Sequence, residues 1–202
     1  MVGIRLIAGL GNPGRKHERD RHNVGFWFVS RLAAQLGVEM RSQPKFHGLV
    51  GKSGTAGSEV WFVMPQTYMN ASGMAVGSLA RFYKIQPDEC LVVHDELDFP
   101  PGVAKLKRGG GVAGHNGLRD VAAQLGTQDY WRLRVGIGHP GDKNAVADYV
   151  LSSPPAAERE LIESALARCL EHSPLLLAGD MREAMLKIHT REKPENDGPD
   201  GK

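Results

Sequence analysis

The chain has 202 residues, 41% of them hydrophobic, and carries 25 Lys and Arg against 23 Asp and Glu. That length supports one well-buried core and fits a single domain better than two, while a net charge of +2 excludes a uniformly basic nucleic-acid binder, so any basic surface must be local. Cys90 and Cys169 have no disulfide or metal-ligand spacing, no segment has the order of a signal peptide, and no apolar run is long enough to span a bilayer; the expected setting is the cytoplasm.

Ile4 to Leu10 is apolar apart from Arg5 and Gly9 and stops at Gly11-Asn12-Pro13-Gly14, which predicts a buried strand. Val24, Phe28, Leu32 and Leu36 recur every four residues before Gly37, the pattern of a helix with a glycine stop. Phe46 to Lys52 and Glu59 to Met64 read as a hairpin around a Ser53 to Ser58 turn, followed by a helix over Ala71 to Ile85. Cys90 to Val93 predicts a buried strand ending at His94-Asp95, Val103 to Leu106 a short edge strand, Leu118 to Leu125 a helix and Leu133 to Ile137 a strand. Two more helices, Glu158 to Leu170 and Met181 to His189, should pack on the sheet. The alternation predicts a single α/β domain over residues 1–192, with a twisted mixed β-sheet flanked by helices. Residues 193–202 lack apolar groups able to offset their ordering entropy and read as a disordered tail.

Gly9-Leu10-Gly11-Asn12-Pro13-Gly14 matches G-x-G-x-x-G, but a polar loop follows it instead of a helix, and the position for the ribose-binding acid falls inside the next helix. A turn presenting the Asn12 side chain accounts for it better. His22 lies in a charged loop, where an exposed histidine is the plain reading; imidazole is nevertheless the natural general base near neutral pH if a carboxylate adjoins it, and Asp95 is the best partner. Neighbouring strand residues face opposite ways, so His94 and Asp95 cannot both enter one site, and nothing in the spacing supports a metal. Asn70 and Asn116 each precede a helix, where they could cap it, line a site, or do both. The run Gly109-Gly110-Gly111 beside Lys105 and Lys107 reads either as a mobile solvated loop or as a phosphate contact with Arg134. No G-x-S-x-G elbow is present, and Cys90 reads as strand core.

Taken together, Gly11-Asn12-Pro13-Gly14, Arg21 to Gly25, Pro65 to Gly73, His94 to Asp98, Gly109 to Gly117 and Arg134 to Gly141 closely resemble, in order, the bacterial peptidyl-tRNA hydrolase family. The resemblance implies a monomeric enzyme that cleaves the ester between a peptide and the terminal ribose of tRNA. By motif, His22 would be the base, Asp95 its orienting partner, and Asn12 their neighbour. Asn70 and Asn116 would hold the peptide and position water, with Met69 packed close by; Lys105, Lys107 and Arg134 would meet tRNA phosphates. An activated ester needs only an activated water and neutral donors, so no cofactor and no metal are expected.

Two positions depart from the family pattern, His17 standing where tyrosine is usual and Asp20 where threonine is. Any substrate contact at His17 would then be made by an imidazole. The rival reading is a non-catalytic RNA-binding protein on the same fold.

Overall fold

In a computed structural model describing residues 3–55 and 57–189, seven strands form one mixed sheet in the order β2-β3-β4-β1-β5-β7-β6. The strands are β1 (Leu6–Gly9), β2 (Arg41–Gln43), β3 (Gly48–Ser53), β4 (Val60–Pro65), β5 (Cys90–Glu96), β6 (Ala104–Arg108) and β7 (Trp131–Gly136). Strands β4, β1, β5 and β7 run parallel, with β3 antiparallel to β4, β2 antiparallel to β3, and β6 antiparallel to β7. This is the α/β fold with a mixed sheet that the sequence predicts. The helices are α1 (Val24–Gln35), α2 (Ser72–Tyr83), α3 (Asn116–Leu125), α4 (Val146–Val150), α5 (Ala156–Glu171), α6 (Ser173–Ala178) and α7 (Met181–His189). None of them is long and apolar enough to cross a membrane, among the described residues.

Two apolar layers cover the sheet. One joins Phe28 and Leu32 of α1 to Leu91, Val93 and Leu133 and to Ile162 and Leu166 of α5. The other sets Val76 and Leu79 of α2 and Val121 of α3 against Leu6, Ala8 and Val92. Alternate residues of β1 and β5 thus serve opposite layers, which is why both strands read as continuous apolar runs. The connection from β1 crosses one way, to β2, β3 and β4, and that from β5 the other way, so the carboxyl ends of these adjacent strands form the switch point at which open α/β sheets carry sites.

Helix α1 lies unusually close to that point. A Cβ on Gly25 would fall 2.4 Å from the Leu10 nitrogen and the Val93 oxygen, and one on Gly9 2.3 Å from the Gly25 oxygen. Gly9 and Gly11 of the G-x-G-x-x-G string therefore serve helix-on-strand contact, whereas Gly14 has open space and a φ of +100° that suits glycine, and His22 and Asn23 are drawn onto the strand ends.

Several local expectations change. Strand β5 continues to Glu96 and is buried along its whole length, so three ionisable residues sit at a strand end read as stopping earlier. The three-residue β2, and the short helices α4 and α6, lacked a readable period. Pro174 restarts the chain as α6 after α5 ends, where proline's missing N–H costs nothing. Asn70 belongs to a 3-10 turn over Met69–Ala71 ahead of α2 and makes no cap bond. His115, not Asn116, caps α3, its ring accepting from the Leu118 N–H. The tail expected over 193–202 lies outside the described residues.

Candidate active site

Asp95 is the hub. Its side chain is 2% exposed, and His22 Nδ1–H donates to it with both oxygens at 2.9 Å, while His115 Nε2–H donates to Oδ1 at 2.9 Å. The tautomers follow from the partners. Because His115 Nδ1 accepts from the Leu118 N–H at 3.3 Å, its proton is on Nε2. Because His22 gives its Nδ1 proton to Asp95, its Nε2 carries a free lone pair, and that nitrogen has no hydrogen-bond partner among the described residues. The two imidazoles lie with centroids 5.0 Å apart.

Burial works against charge at both partners and loses. Burial alone would lower the His22 pKa, but the charge and hydrogen bond of Asp95, and then the charge of Asp20, raise it above its ordinary value. Burial would raise Asp95, yet His22 and His115 hold it well below the usual carboxylate range. Asp95 is therefore an anion and His22 a strengthened base. His94 is buried beside the cluster, its ring edge-on to His115 with centroids 5.1 Å apart; its Nδ1–H donates to the Asp95 carbonyl at 2.7 Å, and burial and His115 press its pKa down to about 3.

Asn12 lies next to this pair through its neighbours. Asn23 clasps its backbone from both sides, Asn12 N–H donating to Asn23 Oδ1 and Asn23 Nδ2 donating to the Asn12 carbonyl, both at 2.9 Å. Asn12 Oδ1 accepts the Met69 N–H at 2.7 Å. Its Nδ2 is left as a neutral donor without a partner among the described residues. Met69 is buried against Gly117, and Asn70 follows it with an exposed side chain. Asn116 follows His115 and accepts from Arg119 at 3.3 Å. Hydrogen bonds thus join His22 and His115 to Asp95 at the end of β5, and Asn12 to Asn23 and Met69, while Asn70 and Asn116 directly follow Met69 and His115 in the chain. Beside the clasp, a cavity of about 510 Å³ is lined by Asn12, Arg15, Asn23, Phe26, Trp27 and Gln66 among others. His22 and Asp95 do not line it, so it adjoins the imidazole pair without containing it.

His22, Asp95 and His115 also present ligand atoms within 4.8 Å of one another, a donor set that could hold a metal ion. The hydrogen bonds already use these same atoms, so a metal would have to displace the protons that define the pair.

Lys105, Lys107 and Arg134 lie at the far edge of the sheet, where Lys105 is opposite Arg134 in the β6–β7 register. Lys105 and Lys107 are exposed. Arg134 Nε–H donates to Glu96 Oε2 at 2.9 Å, and the Arg134 guanidinium and the Lys105 ammonium both lie over the Phe99 ring, at 4.5 and 4.9 Å.

The peptidyl-tRNA hydrolase family model matches residues 6–196. A protein of that name from Nitrosospira multiformis is 55% identical over 94% of this chain and all of its own length. One from Delftia acidovorans is also 55% identical, over 95% and 92% of the two chains. The crystal structure of peptidyl-tRNA hydrolase from Acinetobacter baumannii superposes with a TM-score of 0.91 at 45% identity, covering 95% of this chain and 97% of the other. The chain belongs to the peptidyl-tRNA hydrolase family.

As a member of the peptidyl-tRNA hydrolase family it is an enzyme, and His17 and Asp20, the two loop positions that the sequence reading set apart, meet each other. His17 Nδ1–H donates to Asp20 Oδ2 at 2.7 Å. Sequence reading missed the bracing roles of four residues around this candidate site. Asn23 and His115 were visible only as motif letters. Arg21 is buried and donates to the Tyr149, Ser152 and Ser153 carbonyls, to Ser152 Oγ and to Glu158, tying the segment after α4 to the residue before His22. Arg132 donates to the Gly110 and Gly111 carbonyls at 2.6 and 2.8 Å, fastening the glycine run that the sequence left open between a mobile loop and a phosphate contact. An arginine inside a buried strand beside a glycine run was the available signal.

Proposed function

We propose that this chain hydrolyses the ester joining a peptide to the terminal ribose of tRNA, with His22 as general base and Asp95 as its orienting partner. The observation that carries the reading is the bare Nε2 of His22, left as a base because Nδ1–H is committed to an anionic Asp95. His22 Nε2 takes a proton from water, and the hydroxide oxygen bonds to the ester carbonyl carbon. The oxyanion that forms is met by neutral amide donors, of which Asn12 Nδ2 is the best held. The carbon to ribose-oxygen bond then breaks, and the proton on His22 passes to the departing ribose oxygen.

A positioned base contributes about 10²–10⁴-fold and one oxyanion donor about 3–4 kcal/mol, adequate for an activated ester. Asn70 and Asn116 can both donate and accept, which suits peptide main chain, with Met69 and His17 as further substrate contacts. Lys105, Lys107 and Arg134 would take tRNA phosphates. The sheet order puts them on β6 and β7, beyond β5 and its Asp95, so the RNA would approach from that edge.

The protein would act as a monomer in the cytoplasm without a metal. The test is release of peptide from purified peptidyl-tRNA with a chelator present. Release supports the reading; tRNA binding without release means an RNA-binding protein, and release abolished by the chelator means that the His22, Asp95 and His115 donors hold a metal.

A further inference from the structure

The turn that delivers His22 contains a second carboxylate–imidazole pair. His17 and Asp20 are joined at 2.7 Å with side chains only 14% and 6% exposed. The backbone closes the same ring, Asp20 N–H donating to the His17 carbonyl at 3.0 Å and Asn23 N–H to the Asp20 carbonyl at 2.9 Å. Asp20 stands ahead of the 3-10 turn Arg21–Asn23 but makes no side-chain cap, so its carboxylate is committed to His17 alone among the described residues. The charged and titratable groups acting on His22 are Asp95 from β5, His115 from the loop before α3, and Asp20 from its own loop. Arg21, between Asp20 and His22, turns away to Glu158 and the Ser152 region and leaves Asp20 unneutralised from that side. Burial favours the neutral imidazole of His22; the Asp95 and then the Asp20 charge oppose it.

We propose that Asp20, clamped by His17, is a positioning residue for His22: the pair sets the turn that presents the imidazole and brings a second negative charge to bear on it. The proposal rests on His22 being the base. It also joins the two loop positions that the sequence sets apart, since tyrosine and threonine there could not form a carboxylate–imidazole pair.

The decisive variant is Asp20→Asn, which keeps an acceptor for His17 and removes the charge. Two readings are compared with the unaltered protein: the His22 ring titration followed by NMR without substrate, and the acid limb of kcat/KM on peptidyl-tRNA. Both are expected to move to lower pH by about half a unit. The melting temperature should hold, because the hydrogen bond survives. His17→Tyr alone should lower the melting temperature by stranding a buried carboxylate, and His17→Tyr with Asp20→Thr should recover it. A His22 titration that superimposes on that of the unaltered protein, or melting losses that simply add in the double variant, overturns the proposal. A shifted titration in a protein that hydrolyses no peptidyl-tRNA upholds the pair and removes the catalytic reading, so the two can fail separately.

Discussion

Asn23 holds Asn12 by its backbone, accepting from the Asn12 N–H and donating to the Asn12 carbonyl at 2.9 Å each. Both residues are buried; the clasp fixes the Asn12 backbone, and the Met69 N–H, donating to Oδ1 at 2.7 Å, sets the direction of its side-chain amide. Asn23→Ala strands two buried backbone groups at about 1–3 kcal/mol each and should lower both stability and kcat, whereas Asn23→Asp keeps the acceptor and loses less. Urea unfolding beside steady-state kinetics checks this; equal losses for the two variants would refute the clasp.

Removing the base separates chemistry from binding. His22→Ala should lower kcat by about 10²–10⁴-fold and leave tRNA affinity nearly unchanged, with Asp95→Asn falling in the same direction because Nδ1–H loses its anionic acceptor. Near-normal hydrolysis by His22→Ala would rule out the assignment.

Stability and activity should depend on pH in opposite senses near neutrality. The His22 pKa is raised, so the stability from its paired, charged form is complete below the ordinary value of 6.5 and is lost as pH rises through the raised folded value. Asp95 is depressed: its stabilisation is present above the ordinary carboxylate value and is lost as pH falls through the lowered folded value. Turnover needs neutral His22, so kcat/KM should climb with pH through a value above 6.5. Thermal melts between about pH 6 and 8 should show a small decline that His22→Gln abolishes.

The basic edge predicts a salt effect. Lys107→Ala should weaken tRNA binding and reduce the salt slope by about 0.7–0.9 for each phosphate that is no longer neutralised. Arg134→Ala should do the same and also lower stability, since Glu96 is buried and loses its partner. Filter binding across a salt series, with an unchanged slope, would reject the phosphate role.

Arg21→Met should lower stability by about 1–3 kcal/mol and kcat with it, because the carbonyls of Ser152 and Ser153 and the Glu158 carboxylate lose a shared donor one residue from His22. Limited proteolysis near Ser152 reports the release; an uncut segment in the variant would refute the tie.

Most elements and the order of the motifs were legible in the chain. The four-residue recurrence from Val24 to Leu36 and the apolar runs ending at Leu10 and Val93 are local properties, dictated by helix and strand periodicity and by turn residues, and they placed α1, β1 and β5. The motif series also brought out His22, Asp95 and Asn12 as a group. Tertiary structure alone decided their partners. That His115 donates to Asp95, that Asn23 holds Asn12, that Arg132 fastens the glycine run, and that His17 turns to Asp20 all depend on which strand ends and loops come together. Such pairings are set by sheet order and by the close seat of Gly25 on Leu10 and Val93, and a hydrogen bond needs its partner within about 3 Å, a distance that sequence spacing does not encode.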